Sequence, residues 1–282
     1  MPATNVHVMR ILVTNDDGID SVGLHVLARA LRPHGEIVVC APDSEYSGAS
    51  AAFGALHLLR PEMLKTHIEG IDQAWAISGP PALCVMLARL GALGQTFDLV
   101  VAGINPGANV GRAVYHSGTV GAAITARNGG LTGIAISQAV TTGGVMGQGW
   151  DEMIEGQRWD SAAAVAAAAV DELVTNPLDQ PGCLNINVPN LDLSDILGWK
   201  RTEIGALPTR SMTTVDVEPK QGHEGSYYLK INWGSMQDYP PETDVGAVIE
   251  GYVATTWLST VHATEFAGSH GAENAIARFL SP

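Results

Sequence analysis

Two aspartates stand side by side in Thr14-Asn15-Asp16-Asp17-Gly18, directly after the short apolar run Ile11 to Val13. A run of that kind reads as a strand, and open α/β sheets bind ligands beyond the carboxyl ends of their strands. Adjacent carboxylates repel one another, so a rim position for both is costly unless a cation neutralises them. A divalent cation held there would activate water for hydrolysis. The alternative use is local, because Asp before Gly also caps turns.

Three further loops have the composition to join that rim. Gly103-Ile104-Asn105-Pro106-Gly107-Ala108-Asn109-Val110-Gly111 follows the strand-like Leu99 to Ile104 and can bring an amide oxygen to a metal, with Asn109 a second polar contact for substrate. Ser117-Gly118-Thr119 precedes Val120, Ala122, Ala123 and Ile124, so Ser117 caps a helix whose free amides favour a phosphate dianion. Ala41-Pro42-Asp43-Ser44-Glu45-Tyr46-Ser47 follows a second strand and offers the Ser47 hydroxyl. Covalent phosphoaspartate chemistry of the haloacid-dehalogenase kind requires two aspartates separated by one residue, which Asp16 and Asp17 are not. Neither an HxH or HExxH pairing nor a GxSxG elbow occurs, which argues against zinc proteolysis and serine hydrolysis.

The elements that must carry these loops alternate. Strand-like runs at Ile11 to Thr14, Ile37 to Ala41, Leu99 to Ile104, Gly133 to Ser137 and Leu184 to Val188 are separated by helical patterns starting at Asp20 or Ser21, Pro80 or Pro81, and Asp160 or Ser161. Nearly continuous apolar strands between helices predict an α/β fold with a doubly wound, mostly parallel sheet. Residues 141 to 157 are glycine-rich and read as an insertion or mobile loop. After Val188-Pro189 the alternation ends. Residues 200 to 258 hold β-prone pieces at Ser226 to Trp233 and Val248 to Leu258, before a closing helix near Glu265 to Phe279. The expected division is a catalytic core over 1 to 199 and a β-rich extension with its helix over 200 to 282.

A chain of 282 residues, 46% hydrophobic and 16% charged, is long and apolar enough for such a core. Its net charge of -14 repels polyanions, so no nucleic-acid polymer and no anionic membrane is expected as partner. A phosphate substrate would need local help from a cation or from backbone amides. Cys40, Cys84 and Cys183 are odd in number, far apart and set in apolar stretches, which fits buried thiols in a reducing cytoplasm. MPATNVHVMR has no apolar leader region, and Ala162 to Val170 is too short to span a bilayer.

Taken together, ILVTNDDGIDSVGLHVLARAL, APDSEYSGAS, VVAGINPGANVG, SGTVGAA, LNINVP and ETDVGAVIEGYV resemble, in order, the landmarks of the SurE family of stationary-phase survival proteins. The resemblance implies a divalent-metal-dependent nucleotidase with a Rossmann-like core, a protruding β element, and a C-terminal segment used in dimer or tetramer contacts. Carried over by the matching loops, Asp16, Asp17, Ser47 and Asn105 form the site for Mg2+ or Mn2+, and Ser117, Gly118 and Thr119 hold phosphate. The chain departs from the family where Ser44, Glu45 and Tyr46 replace usually basic residues. It departs again where Leu83 replaces a usual Asp, Arg112 an acid, His116 a Tyr and Thr125 a Glu. The metal residues are retained, so substrate preference is what these changes affect.

The implied reaction is hydrolysis of nucleoside monophosphates or similar small phosphate esters by a metal-activated water, with Asp16 by preference taking the proton and His116 protonating the leaving oxygen. A second reading keeps the rim but not the turnover, as a catalytically weak nucleotide or phosphate sensor. A dinucleotide-dependent oxidoreductase fits poorly, because NDDG stands where a GxGxxG turn would be needed.

Overall fold

The computed structural model describes residues 8–54, 56, 60–94, 96–140, 154–206, 212–234, 239–261, 263 and 270–280. Among these, β1 (Arg10–Thr14) is buried along its whole length. Its alternation sorts side chains between two cores: Ile11 and Val13 join a cluster with Leu24, Leu27 and Leu31 of α1 (Val22–Leu31), while Leu12 joins one with Leu83, Cys84 and Val85 of α2 (Pro81–Arg89). A strand covered on both faces has no use for polar alternation, which is why the run reads as continuously apolar.

β1 pairs in parallel with β2 (Glu36–Pro42) on one side and with β5 (Leu99–Pro106) on the other. Beyond β5 follow β6 (Thr132–Gln138) and β7 (Cys183–Val188), both parallel. The chain thus leaves β1 in one direction for β2 and returns on the other side for β5, and the crevice at that reversal is the ligand position of a doubly wound sheet. Helices cover both faces. α1 packs with α4 (Trp159–Thr175) on one, and α2 with α3 (Gly118–Asn128) on the other. This is the Rossmann-like, mostly parallel architecture expected from the sequence.

Two strands lie outside that expectation. β3 (Met63–Ile68) and β4 (Ile71–Ile77) form a hairpin in which β4 extends the sheet in parallel beside β2 and β3 forms an antiparallel edge. β3 is largely exposed and carries Lys65, Thr66 and His67, so it lacks the apolar run that marks the central strands.

After β7 the chain makes the short β8 (Trp199–Arg201) and then a separate antiparallel hairpin of β9 (Met212–Pro219) and β10 (Tyr227–Trp233), the latter close to the expected Ser226 to Trp233. The β-prone reading of Val248 to Leu258 is corrected. Thr243 caps a helix, α5 (Asp244–Ile249), by accepting from the Gly246 N–H, and only Val253–Trp257 forms a strand, β11. β11 runs antiparallel to β7 and parallel to β8, so the main sheet continues into the segment after residue 199. The last described helix is α6 (His270–Leu280). The expected loop at 141 to 157 lies outside the described residues up to 153, and Gln157 closes a turn on the Ile154 carbonyl.

Among the described residues no helix is long and apolar enough to cross a membrane. All three cysteines are buried and free.

Candidate functional site

The rim is assembled at the carboxyl end of β1 by contacts that only small residues permit. Gly18 has φ near 101°, a conformation costly for other residues, and a β-carbon there would lie 3.3 Å from the Ser44 backbone. The Ile19 N–H donates to the Pro42 carbonyl at 2.8 Å and the Tyr46 N–H to the Asp16 carbonyl at 2.7 Å, fastening the loop after β2 to the loop after β1. Asn15 holds its own turn, donating to the Gly18 carbonyl and to the Ser21 hydroxyl, each at 3.0 Å. The same Ser21 hydroxyl caps α1. Capping and rim building are therefore one structure, not competing uses of the motif.

α3 closes the rim from below. Its small-residue face lets it approach: a β-carbon on Gly121 would meet the Ser50 carbonyl oxygen at 2.2 Å, and one on Gly118 would meet Asp16 Oδ2 at 2.8 Å. The Gly118 N–H donates to Asp16 Oδ2 at 3.1 Å and the Thr119 hydroxyl donates to Asp16 Oδ1. The positive end of the helix thus faces a carboxylate. Burial pushes the Asp16 carboxyl above its ordinary range, and the bond from Thr119 works against that push.

Asp17 lacks such support. Both of its carboxylate oxygens are buried with no hydrogen-bond partner. Burial pushes its pKa up to about 8, with Asp16 and then Glu45 adding to the rise. A buried carboxylate with four unused lone-pair positions needs either a proton or a cation. A cation bound to such a carboxylate would displace its proton, as in deprotonation-linked metal sites. The donor set of two carboxylates, a hydroxyl and an amide oxygen suits a hard cation such as Mg2+ or Mn2+. Among the described residues no three of His, Cys, Asp and Glu converge as a metal site, here or elsewhere, so a cation on this rim would depend on the hydroxyl and amide oxygens beside the two carboxylates.

The other expected ligands sit on the neighbouring loops. Ser47 is exposed, and its N–H donates to Glu45 Oε1 at 2.6 Å. Asn105, half-buried at the end of β5, donates its Nδ2 to the Gly107 carbonyl at 2.6 Å, an orientation in which the amide oxygen could serve a cation. Asn109 is clasped by the neighbouring strands. Its Nδ2 donates to the Ser137 hydroxyl at 2.8 Å, its N–H to Asn187 Oδ1 at 2.7 Å, and its carbonyl accepts from Asn185 and Asn187. The Asn109 Oδ1 and the second hydrogen on its Nδ2 are left for a substrate. The Ser117 hydroxyl accepts from the Val120 N–H at 3.1 Å as the α3 cap and keeps its proton to give. His116 is exposed, beside that cap, with its carbonyl accepting from the Ser50 N–H at 3.1 Å.

Sequence reasoning missed the residue that anchors the third loop. Asp244 is fully buried, and its carboxylate accepts from the Gly111 N–H at 2.9 Å, the Gly205 N–H at 2.8 Å and its neighbour Val245 at 2.9 Å. Burial raises its pKa against those bonds. The signals were an acid opening the otherwise apolar stretch DVGAVI and its place in the landmark ETDVGAVIEGYV, neither of which indicates its distant partner at Gly111.

The sequence model of the family described as Survival protein SurE matches residues 11–210. The chain is 37% identical over 249 residues to the 5'-nucleotidase SurE of Xanthomonas axonopodis pv. citri (strain 306), covering 88% of each chain. It is 36% identical over 252 residues to the 5'-nucleotidase SurE of Synechococcus sp. (strain JA-3-3Ab), covering 89% of this chain and 91% of that one. The crystal structure of the SurE protein from Aquifex aeolicus superposes with a TM-score of 0.73 at 27% identity, over 96% of this chain and 100% of that one.

Proposed function

This chain belongs to the SurE family, and from that premise we propose that it is a divalent-metal-dependent phosphomonoesterase acting on nucleoside monophosphates or similar small phosphate esters. The observation that carries the reading is the Asp17 carboxylate, buried with both oxygens unpartnered beside Asp16. Asp16, Asp17, Ser47 and Asn105 would hold the cation, Mg2+ or Mn2+. When bound it supplies a water of lowered pKa and neutralises charge on the phosphoryl group.

The chain's own residues do the rest. Thr119 and the Gly118 N–H fix the Asp16 carboxylate in one orientation, so it enters the reaction without reorganising. Each Asp16 oxygen already accepts one bond and the Asp17 oxygens accept none, which supports assigning Asp17 rather than Asp16 as proton acceptor from the attacking water. The Ser117 hydroxyl would offer a donor to the phosphate, whereas the Gly118 N–H and the Thr119 hydroxyl, expected there too, are engaged by Asp16. Asn109 steadies the loop that carries Asn105. His116, exposed beside the α3 cap, would protonate the leaving oxygen.

The exposed apolar side chains Val215, Val217 and Leu229 on the hairpin, and Phe279 and Leu280 on α6, support a homodimer or homotetramer built through the segment 200 to 282. Residues 1 to 199 would then carry the catalytic core. The three buried free thiols support a cytoplasmic location. Phosphate release from a panel of nucleoside monophosphates with Mg2+ and with Mn2+ tests the reading. Metal-dependent binding of those nucleotides without turnover would instead establish the sensor.

A further inference from the structure

Glu45 stands on the rim although no step above uses it. Its neighbours on both sides are tied down. The Ser44 backbone lies against Gly18, and the Tyr46 N–H donates to the Asp16 carbonyl at 2.7 Å. Its own carboxylate accepts from the Ser47 N–H at 2.6 Å, which keeps a negative charge beside one expected cation ligand. The charge is near enough to disfavour ionisation of both Asp16 and Asp17. Yet Glu45 is exposed, so a phosphate chain leaving the site on this side would meet it.

We propose that Glu45 is a specificity-determining residue of this site, rejecting substrates that carry further phosphoryl groups beyond the one being hydrolysed. This rests on the phosphomonoesterase reading. A monophosphate would place its dianion at the cation and the Ser117 hydroxyl and has no second anionic group to extend towards Glu45. A nucleoside triphosphate carries additional negative charges that the cation site does not neutralise. A unit charge about 7 Å from another across water changes an equilibrium by a factor of about 2 to 3. Two or three such charges give roughly a tenfold penalty against the triphosphate. The net charge of -14 acts in the same direction but over distances that salt screens beyond about 8 Å, so the local charge dominates.

The test compares kcat/KM for a nucleoside monophosphate, its triphosphate and inorganic tripolyphosphate at saturating Mn2+, in wild type, Glu45→Gln and Glu45→Lys. Glu45→Gln keeps the acceptor for the Ser47 N–H while removing the charge. It is expected to raise the triphosphate-to-monophosphate ratio about tenfold, and Glu45→Lys roughly a hundredfold over wild type, by the same per-charge factor. The wild-type ratio is also expected to rise with ionic strength and the Glu45→Gln ratio to respond less. Ratios unchanged in both variants, or a wild-type ratio insensitive to salt, overturn the proposal while leaving monophosphate hydrolysis intact. Absence of monophosphate turnover in wild type would instead sink the reading on which it rests.

Discussion

Replacing Asp17 with Asn should make the metal-free protein less sensitive to pH, because this carboxylate is the least compensated charge on the rim. Its pKa rises from 3.8 to about 8 on folding, which at about 1.36 kcal/mol per unit disfavours the charged form by about 6 kcal/mol as an upper bound. Relaxation of the rim and water penetration reduce that figure to about 2 or 3 kcal/mol. The folded value lies above the unfolded one, so the native state binds the extra proton. Wild-type stability is accordingly expected to fall as pH rises from about 4 to about 8, and to level off above that. For a chain of this size 1 kcal/mol moves Tm by about 2–4 °C. Between pH 5 and pH 8 in excess chelator, wild type should therefore lose about 5 °C more than Asp17→Asn. Thermal unfolding followed by circular dichroism measures this. Adding Mn2+ at pH 8 should restore wild type and leave the variant where it was. Equal pH slopes in the two proteins, or equal response to Mn2+, would refute the argument that Asp17 is an uncompensated carboxylate awaiting a cation.

Three other substitutions probe how the rim is held. Thr119→Val keeps the shape of the side chain but removes the donor to Asp16, and the loss of a bond to a charged group, about 1.5–3 kcal/mol, should appear as a ten- to hundredfold fall in kcat in steady-state assays. Gly118→Ala places a β-carbon 2.8 Å from the Asp16 carboxylate, so weaker Mn2+ affinity by calorimetry is expected with the fold intact by circular dichroism. Asp244→Asn turns one acceptor into a donor facing a backbone N–H. It should cost about 2–4 kcal/mol in chemical denaturation, with activity lost in proportion as the third loop loosens.

The parts of the fold that were legible in the sequence are those set by continuous burial. β1, β2, β5, β6 and β7 are covered on both faces and write themselves as apolar runs, so the doubly wound sheet and the rim it creates could be read directly. β3 was not, because an exposed edge strand has no such constraint on its composition, and in the largely buried β4 the polar Asp72 and Gln73 interrupt the apolar run. The β-prone stretch from Val248 overlaps the end of α5 because Val248 and Ile249 are β-branched, whereas the Thr243 cap and the packing of Val245 and Val248 hold them in the helix. At the site, residue types in the four loops pointed to cation and phosphate. The division of labour between Asp16 and Asp17 depends on contacts about a hundred residues apart and has no local signature. Asp244 illustrates the same limit, its partner Gly111 being 133 residues away.

The central claim is that the orphaned carboxylate on this rim exists to hold a catalytic cation. Its most direct measurement is phosphate release from a nucleoside monophosphate by exhaustively chelated protein, titrated with Mg2+ and separately with Mn2+, in wild type and Asp17→Asn. The expected result is no turnover without metal and saturable recovery in wild type. The variant should stay at least tenfold below wild type at every concentration, a deficit of about 1.4 kcal/mol or more. Full turnover by the chelated wild type, or recovery of the Asp17→Asn variant to the wild-type rate, would contradict the account.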